Sequence, residues 1–436
     1  MPPPLQLPGF YWDEDKNRYF PLSSRPAVPV SSTSRVEVKP ETEHDTQNHH
    51  PPPDPWYSFQ ALWSSQDVML RHRKAKEILS SHYARTSRCK HSWIPTSGRI
   101  RAFNTTSFNG SQRRFIGDDQ GWLYACMSPE VEEQDMITDV WLPDLSLHPG
   151  SEITSICISG SKCIATCLGP SARISVQDLN VVGRISLITV KNVHDIWTAH
   201  LEGNSLVIGA DKRAVYLHDF DTTTQLKYLE TQSDVFAIYQ RDNMVYTGSR
   251  NGSITRFDLR LKTCGQKLFD HRFTGRARSP VLHLGIVSEY QLLTSQMDGE
   301  LALYDLRFPR LVEPLVSFRG HVNTHRRRLG IAVDPNEQFL FAAGEDCRIR
   351  GWSLNMGIPI EPPPIPDNEE KMASSSSITS EPDELERRRN NPFRAVFPNP
   401  VTAMQVTIER KGVCLWAVND EDLYRYHLGQ QDDWIT

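Results

Sequence analysis

The 436-residue sequence has no run of about 18 apolar residues, the length that a membrane-spanning helix requires. Its opening, Met1-Pro-Pro-Pro-Leu-Gln, lacks the basic and apolar regions of a secretory signal peptide. There is no basic excess either, since 48 Lys and Arg oppose 53 Asp and Glu for a net charge of −5. These absences predict a nuclear or cytoplasmic protein that spans no membrane and is not a general nucleic-acid binder.

Catalytic and metal-binding motifs are also missing. None of the eight cysteines forms a Cys-x-x-Cys pair, and most lie in apolar, strand-like runs. We therefore expect reduced, buried cysteines, with neither a disulfide framework nor a zinc site. The phosphate-binding loop, the Gly-x-Ser-x-Gly nucleophile motif and the His-Glu-x-x-His zinc motif do not occur. The sequence predicts a protein that is not an enzyme and that needs no metal or cofactor.

What the sequence does contain is an internal repeat: an apolar strand, a turn with Gly or Asp, and an alternating strand that ends in an aromatic and an acid. The clearest copies are 245–258, 293–305 and 341–353. Seven copies end at Met127, Asp178, Asp219, Asp258, Asp305, Ser353 and His427. Most of their spacings are near the roughly 40–45 residues of a four-stranded WD-repeat blade. We predict an all-β fold, a seven-bladed WD-repeat β-propeller.

Two details of the ring can be predicted as well. Gly320-His321 is similar to the Gly-His that opens a WD repeat, and in that family His, Asp and Trp share a hydrogen-bond network. We expect His321, Asp346 and Trp352 to form it, in a structural role. Too little chain follows the seventh copy to supply an outer strand, so we predict that a strand around His91–Pro95 completes the last sheet.

The remaining segments suggest a domain plan. It comprises an aromatic hairpin at 1–25, a disordered linker at 26–55, a helical segment at 56–90, and a propeller at 91–436 with a disordered insert at 357–394. An isolated hairpin is marginally stable. We therefore expect its aromatic side chains, among them Phe10, Tyr11 and Trp12, to dock on the propeller or on a partner. The helix either packs on the propeller wall or inserts into a partner.

Two adjacent repeats end in the same four-residue pattern, Phe257-Asp-Leu-Arg260 and Tyr304-Asp-Leu-Arg307. Residues i and i+2 of a strand point the same way, so we expect Asp258 to orient Arg260 and Asp305 to orient Arg307. The planar guanidinium can bind carboxylates and carbonyls with two hydrogen bonds. The pattern predicts a pair of oriented arginines at the same end of neighbouring blades.

This doubled pattern resembles the box by which substrate receptors of cullin-4 RING ubiquitin ligases dock on the ligase's adaptor, the large subunit of the damaged-DNA-binding complex. The N-terminal segment 7–20 is similar to the opening of the fourth member of the cullin-4-associated factor series. The boxes depart from the family pattern in having Phe and Tyr where it has Trp. The resemblance implies a non-catalytic substrate receptor that docks through Asp258, Arg260, Asp305 and Arg307 and presents a protein client.

The client would lie on the opposite face, where His325, Arg326, Arg327 and Arg328 could meet an acidic or phosphorylated segment. The alternative for this loop is a solvated charge run. For the whole chain, the alternatives are a ligase-independent scaffold or histone or peptide reader, and, as a minor one, an enzyme with a site in the propeller channel.

Overall fold

The structure, a computed structural model, describes residues 10–13, 18–21, 68–129, 139–181, 183–220, 226–261, 265–269, 279–311, 313–364 and 388–431. The chain divides into two compact units, 1–53 and 54–436. In the first, strand β1 (Phe10–Asp13) pairs antiparallel with β2 (Arg18–Pro21), where the sequence predicts the hairpin. The predicted linker at 26–55 lies outside the described residues.

The second unit is the predicted seven-bladed propeller, preceded by helix α1 (Val68–Ala84). Blades one to three contain β4–β7 (Ile100–Phe108, Ser111–Asp118, Trp122–Pro129, Trp141–Ser146), β8–β11 (Ile153–Ser159, Lys162–Cys167, Ala172–Asp178, Ile185–Val190) and β12–β15 (Thr198–Glu202, Ser205–Gly209, Arg213–Leu217, Leu226–Glu230). Blades four to six contain β16–β19 (Val235–Arg241, Met244–Ser249, Ile254–Asp258, Gln266–Leu268), β20–β23 (Val281–Val287, Gln291–Gln296, Leu301–Asp305, Val316–Ser317) and β24–β26 (Ile331–Val333, Phe339–Ala343, Ile349–Ser353). Blade seven joins β27–β29 (Ala403–Glu409, Gly412–Asn419, Asp422–His427) to β3 (Cys89–Trp93).

Each repeat copy found in the sequence is the second and third strand of a blade. In blades four and five the turn between those strands uses a glycine with positive φ, Gly252 at 76° and Gly299 at 91°. The preceding Asn251 and Asp298 accept backbone hydrogen bonds from two residues ahead, at 3.0 and 3.1 Å. Local turn chemistry therefore sets the hairpin.

The last sheet closes the ring as predicted. Strand β3 pairs antiparallel with β29 from Asp422↔Trp93 to Tyr426↔Cys89. It begins two residues earlier than the predicted strand. His91 Nε2 of β3 contacts Asp422 Oδ1 of β29 at 2.8 Å, although the two residues are 331 positions apart. Both ends of the propeller sequence therefore build one blade.

A buried tryptophan seals the seam between blades seven and one. Two guanidinium groups contact the Trp416 ring, with Arg425 at 5.1 Å and Arg114 at 5.3 Å from its centroid. Arg114 is paired with Asp139, and Arg425 with Glu409. Burial of cations against a ring is favourable when their charges are also paired, and the two carboxylates provide that pairing.

Helix α1 packs on the propeller at its C-terminal end. Tyr83 is buried, its ring centroid lies 5.1 Å from that of Phe339, and Asn391 donates a hydrogen bond to the Ala84 carbonyl at 2.8 Å. Leu70, near the start of the helix, is 42% exposed. The wall-packing alternative therefore holds for the last turn. Residues 56–67 of the predicted helical segment lie outside the described residues.

The predicted disordered insert at 357–394 needs correction at both ends. Ile360 is buried, and Phe393 stacks on Phe341 with centroids 6.1 Å apart. The Ile360 N–H bonds to the Gly351 carbonyl at 2.8 Å, beside a bridge between Trp352 and Pro359. These contacts cover the outer edge of three-stranded blade six, which explains why the two ends are ordered. Residues 365–387 lie outside the described ranges.

The predicted network of His321, Asp346 and Trp352 is wrong in detail. His321 contacts the carbonyls of Gly299 at 3.2 Å and Ala343 at 3.1 Å, which links blades five and six. Trp352 donates to the Arg319 carbonyl, while both carboxylate oxygens of Asp346 are taken by Arg350. The three side chains act structurally, but through separate contacts, because Arg350 is bonded to the Asp346 carboxylate.

The seven described cysteines form no disulfide; Cys264 lies outside the described residues. Burial raises the pKa of Cys157 and of Cys414 to about 12, which keeps both thiols protonated and unreactive. Helix α1 is too short and too polar to cross a bilayer, and the described part of the chain contains no other candidate.

We expect Trp416→Ala to lower the free energy of unfolding by about 3–5 kcal/mol, because it leaves a cavity beside two buried arginines. Trp93→Ala is the matched control, since Trp93 is 62% exposed at the other side of the same blade. It should change the stability by only about 0.5 kcal/mol. Urea unfolding followed by circular dichroism measures both, and equal losses would contradict the role of Trp416 in the seam.

Candidate functional site

The first Asp-Leu-Arg box forms a closed corner after β18. The Arg260 side chain donates to Asp258 through Nε at 2.9 Å and Nη2 at 2.7 Å, and its backbone N–H donates to the same carboxylate at 3.0 Å. Lys227 of blade three donates to the carbonyls of Leu259 and Leu261, at 2.6 and 3.0 Å. The guanidinium is held in one orientation while its side chain stays 64% exposed.

The second box repeats this geometry after β22. Arg307 donates to Asp305 through Nε at 2.9 Å and Nη2 at 2.6 Å, and through its backbone N–H at 2.9 Å. In both boxes the middle leucine bonds to the turn between the first two strands. Leu259 donates to Asn243 and Leu306 to Tyr290, each at 2.8 Å.

The structure brings each predicted Asp–Arg pair together, but the reason given from the sequence is wrong. Asp258 and Asp305 end their strands, whereas Arg260 and Arg307 lie in the following turn. The carboxylate accepts the backbone N–H two residues ahead and so bends the chain, which returns the guanidinium to the same carboxylate. Blade two makes the same turn, where Asn180 N–H donates to Asp178 at 3.0 Å, but it has no arginine there.

Both arginines lie on one face, because each follows the third strand of an antiparallel blade and the blades repeat around the ring. Tyr290 joins them: it lines a cleft together with Arg260, and the Arg307 guanidinium lies 5.6 Å from its ring. The exposed side chains of Phe308 and Leu261 flank the pair. None of these three residues was among those predicted from the sequence. Phe308 and Leu261 directly follow the boxes, which is the signal that could have identified them.

Each arginine lowers the pKa of its aspartate. The pKa of Asp258 falls to about 2, first through the side-chain hydrogen bonds of Arg260 and then through its backbone N–H. The pKa of Asp305 is lowered mainly by the Arg307 side chain. The carboxylates therefore remain charged, and the pairs intact, well below neutral pH.

The predicted client loop is not a free arginine cluster. Arg328 is held by Glu152 at 2.9 Å and by backbone carbonyls of Ile153 and Thr154. Arg327 lies 4.6 Å above the Trp197 ring, with Glu152 at 3.5 Å. His325 is exposed, and Arg326 is half-exposed with Glu345 at 3.8 Å. The solvated-loop alternative fails for Arg327 and Arg328, which point into the ring.

For three other predicted site residues only the backbone position is described. Phe10, Tyr11 and Trp12 lie on β1, and their side chains are outside the description. Within the ranges that the structure covers, no three His, Cys, Asp or Glu side chains gather as metal ligands.

With this geometry in place, comparison with known proteins identifies the family. The profile of the DDB1- and CUL4-associated factor 4 beta-propeller domain matches residues 155–381, more than half of the chain. The chain belongs to this family. The match begins within blade two and includes both Asp-Leu-Arg boxes.

Similar curated proteins agree with this assignment. The human DDB1- and CUL4-associated factor 4 is 31% identical over 36% of this chain and 31% of its own length. The human DDB1- and CUL4-associated factor 4-like protein 2 is 34% identical over 33% and 36%. WD repeat-containing protein 21 of Schizosaccharomyces pombe is 30% identical over 30% and 32%. The chain spans about a third of the length of each of these relatives.

Among solved structures, the WD40 β-propeller domain of Doa1 superposes with a TM-score of 0.53. The alignment covers 80% of this chain and 97% of that domain at 13% identity. A likeness at this identity shows the fold and no more. The fold and the family thus have independent support.

We expect Arg260→Gln to raise the pKa of Asp258 from about 2 part of the way to its ordinary 3.8. The rise is partial because the backbone N–H of residue 260 still donates to the carboxylate. Carboxyl-carbon NMR titration measures it, with the pKa of Asp305 in the same sample as the internal reference. An unchanged Asp258 pKa would show that the guanidinium does not hold this carboxylate in solution.

Proposed function

We propose that this chain is a non-catalytic substrate-receptor subunit of a cullin-4 RING ubiquitin ligase, and that it docks on the ligase adaptor through its two Asp-Leu-Arg boxes. The observation that carries the proposal is the paired geometry on blades four and five. Arg260 and Arg307 are each fixed by a bidentate contact, exposed on one face and joined by Tyr290.

The composition of this face supports docking to a protein. Interfaces obtain most of their binding energy from a few arginine and aromatic side chains that become fully desolvated. Here Tyr290, Phe308 and Leu261 are 52%, 60% and 64% exposed around the two arginines. Since the guanidiniums are already ordered, binding costs less side-chain entropy than it would for free arginines.

Family membership supports the choice of partner. The matched family and two of the relatives carry DDB1 and CUL4, the adaptor and the cullin, in their names. The proposal transfers that association to this chain. In this proposal the receptor performs no chemical step. It holds a client beside the transferable ubiquitin and so accelerates the transfer through proximity.

In this proposal one face of the ring binds the adaptor and the opposite face binds a client. The boxes occupy the end at which third strands finish, while the channel mouth with Arg327 and Arg328 lies at the end where inner strands begin. A client bound at the channel mouth would therefore not compete with the adaptor. The hairpin residues Phe10, Tyr11 and Trp12 remain candidates for contact with either the adaptor or a client.

Arg260→Glu combined with Arg307→Glu should abolish co-purification with the cullin-4 adaptor, because like charges then face each other within each box. Affinity purification with mass spectrometry compares the double variant with the wild type. Proteins lost together are ligase components, and proteins retained by the variant are candidate clients.

Arg250→Glu is the matched control, since Arg250 is equally exposed and paired with Asp234 at 3.3 Å, but lies on the opposite face. It should recover adaptor at the wild-type level. Thermal melts of all variants establish that they are folded. Unchanged adaptor recovery by the double variant would reject the assigned contact. Wild-type protein that recovers another stable complex and no adaptor would favour a ligase-independent scaffold.

A further inference from the structure

The channel mouth on the face away from the boxes brings together charged groups from three blades and a tryptophan from a fourth. Arg101 opens the inner strand of blade one, and Glu152 precedes that of blade two. Trp197 precedes the inner strand of blade three, and Arg327 and Arg328 precede that of blade six. Because all inner strands begin at this face, the ring geometry brings these side chains to one opening.

Arg328 crosses this opening from blade six to blade two. Its guanidinium bonds to Glu152 at 2.9 Å and to the carbonyls of Ile153 and Thr154. This contact fixes the loop that carries Arg327 as well. The mouth is therefore a rigid structure and not a flexible basic loop.

The guanidiniums of Arg327 and Arg101 have N–H donors that are not used in hydrogen bonds to the described residues. Arg327 stacks on Trp197 at 4.6 Å and has Glu152 at 3.5 Å, while the nearest carboxylate to Arg101 is Asp119 at 3.8 Å. Within the described residues neither guanidinium makes a hydrogen bond. Two buried donors nearby, Nε of Arg101 and Nε1 of Trp197, also have no partner. Buried donors without acceptors are costly, so an acceptor placed here would be stabilising.

The charge balance points to an anion as that acceptor. Three guanidiniums face two carboxylates. Arg327 and Arg328 share Glu152, and Arg101 has Asp119 at 3.8 Å. Burial, and then the charges of Arg327 and Arg101, lower the pKa of Arg328 to about 10 against the opposing pull of Glu152. The site therefore has an unneutralised positive charge in a partly desolvated setting.

The adjoining cavity, which Trp197, Arg327 and Arg328 line, has a volume of about 200 Å³. Sites that enclose a whole small molecule usually have about 300–1,000 Å³. This one instead has the size of a side chain or a chain end. The anionic group would therefore arrive on a larger ligand.

We propose that the channel mouth formed by Arg101, Arg327, Arg328 and Trp197 binds an anionic oxygen group, a carboxylate or phosphate, carried by an acidic peptide. Arg327 and Arg101 donate the hydrogen bonds, and Arg328 holds the loop in place. The inference rests on the proposed function only in taking that peptide to be part of a client.

The test uses a fluorescein-labelled Gly-Ser peptide with four consecutive glutamates, and the same peptide with glutamines, titrated into the full chain in low salt. The wild type should bind the glutamate peptide at least tenfold more tightly. Arg101→Gln combined with Arg327→Gln should remove that preference, whereas Arg250→Gln on the same face should keep it. Equal binding of both peptides by the wild type, or an unchanged preference in the double variant, would overturn the proposal.

Two further arms separate the alternatives. Millimolar inorganic phosphate should compete weakly with the peptide; phosphate that binds more tightly than the peptide would assign the site to a free anion instead. Arg327→Lys keeps the charge but loses the planar donors, so it should weaken glutamate-peptide binding severalfold even if the double variant proves unstable. Adaptor recovery by the Arg101/Arg327 variant should stay at the wild-type level, which distinguishes failure of this site from failure of the docking boxes.

Discussion

Everything in this propeller depends on closing the ring with β3, a strand that comes from the beginning of the domain and pairs with β29 at its end. A seventh blade of three strands would leave an unpaired outer edge, which three-stranded blade six avoids because flanking segments cover it. The buried Trp416, in contact with Arg114 and Arg425, completes the seam between blades seven and one with side chains from two blades. Closure in turn fixes the angle between neighbouring blades, and hence the position of every corner and turn.

Because that angle is fixed, residues of different blades can come together in one site. Arg260 and Arg307 lie at corners of adjacent blades. Tyr290 can lie beside Arg307 and line a cleft with Arg260 only because blades four and five are held together. The same holds across the channel, where Arg328 extends from blade six to Glu152 of blade two. Neither arrangement is a property of a single repeat. Both arise from the ring, which places side chains side by side that the chain separates by 47 residues in one case and 176 in the other.

The sequence allowed the ring to be predicted because each blade repeats a local pattern, and turn residues such as Asn251-Gly252 act through backbone chemistry that needs no tertiary context. The pairing of Asp258 with Arg260 was predictable for the same reason, although its cause is the turn and not strand alternation. Contacts between distant segments were not predictable. No local signal shows that Arg350 takes the carboxylate of Asp346 away from His321. Nor does the sequence show that Arg328 of a three-arginine run turns inward to Glu152, or that Phe393 stacks on Phe341.

The bidentate pairs on the face that carries the Asp-Leu-Arg boxes have a consequence for how the proposed partner would be reached. Each of the Asp258–Arg260 and Asp305–Arg307 pairs carries no net charge, so this face projects little field into solution. In the docking that we propose, a partner would not be drawn in over long distances, and the rate of encounter would depend only weakly on ionic strength. Discrimination would come after contact, through the outward guanidinium donors that Asp258 and Asp305 leave unused. The lifetime of the proposed complex would then depend on how well Tyr290 and Phe308 keep water away from those donors.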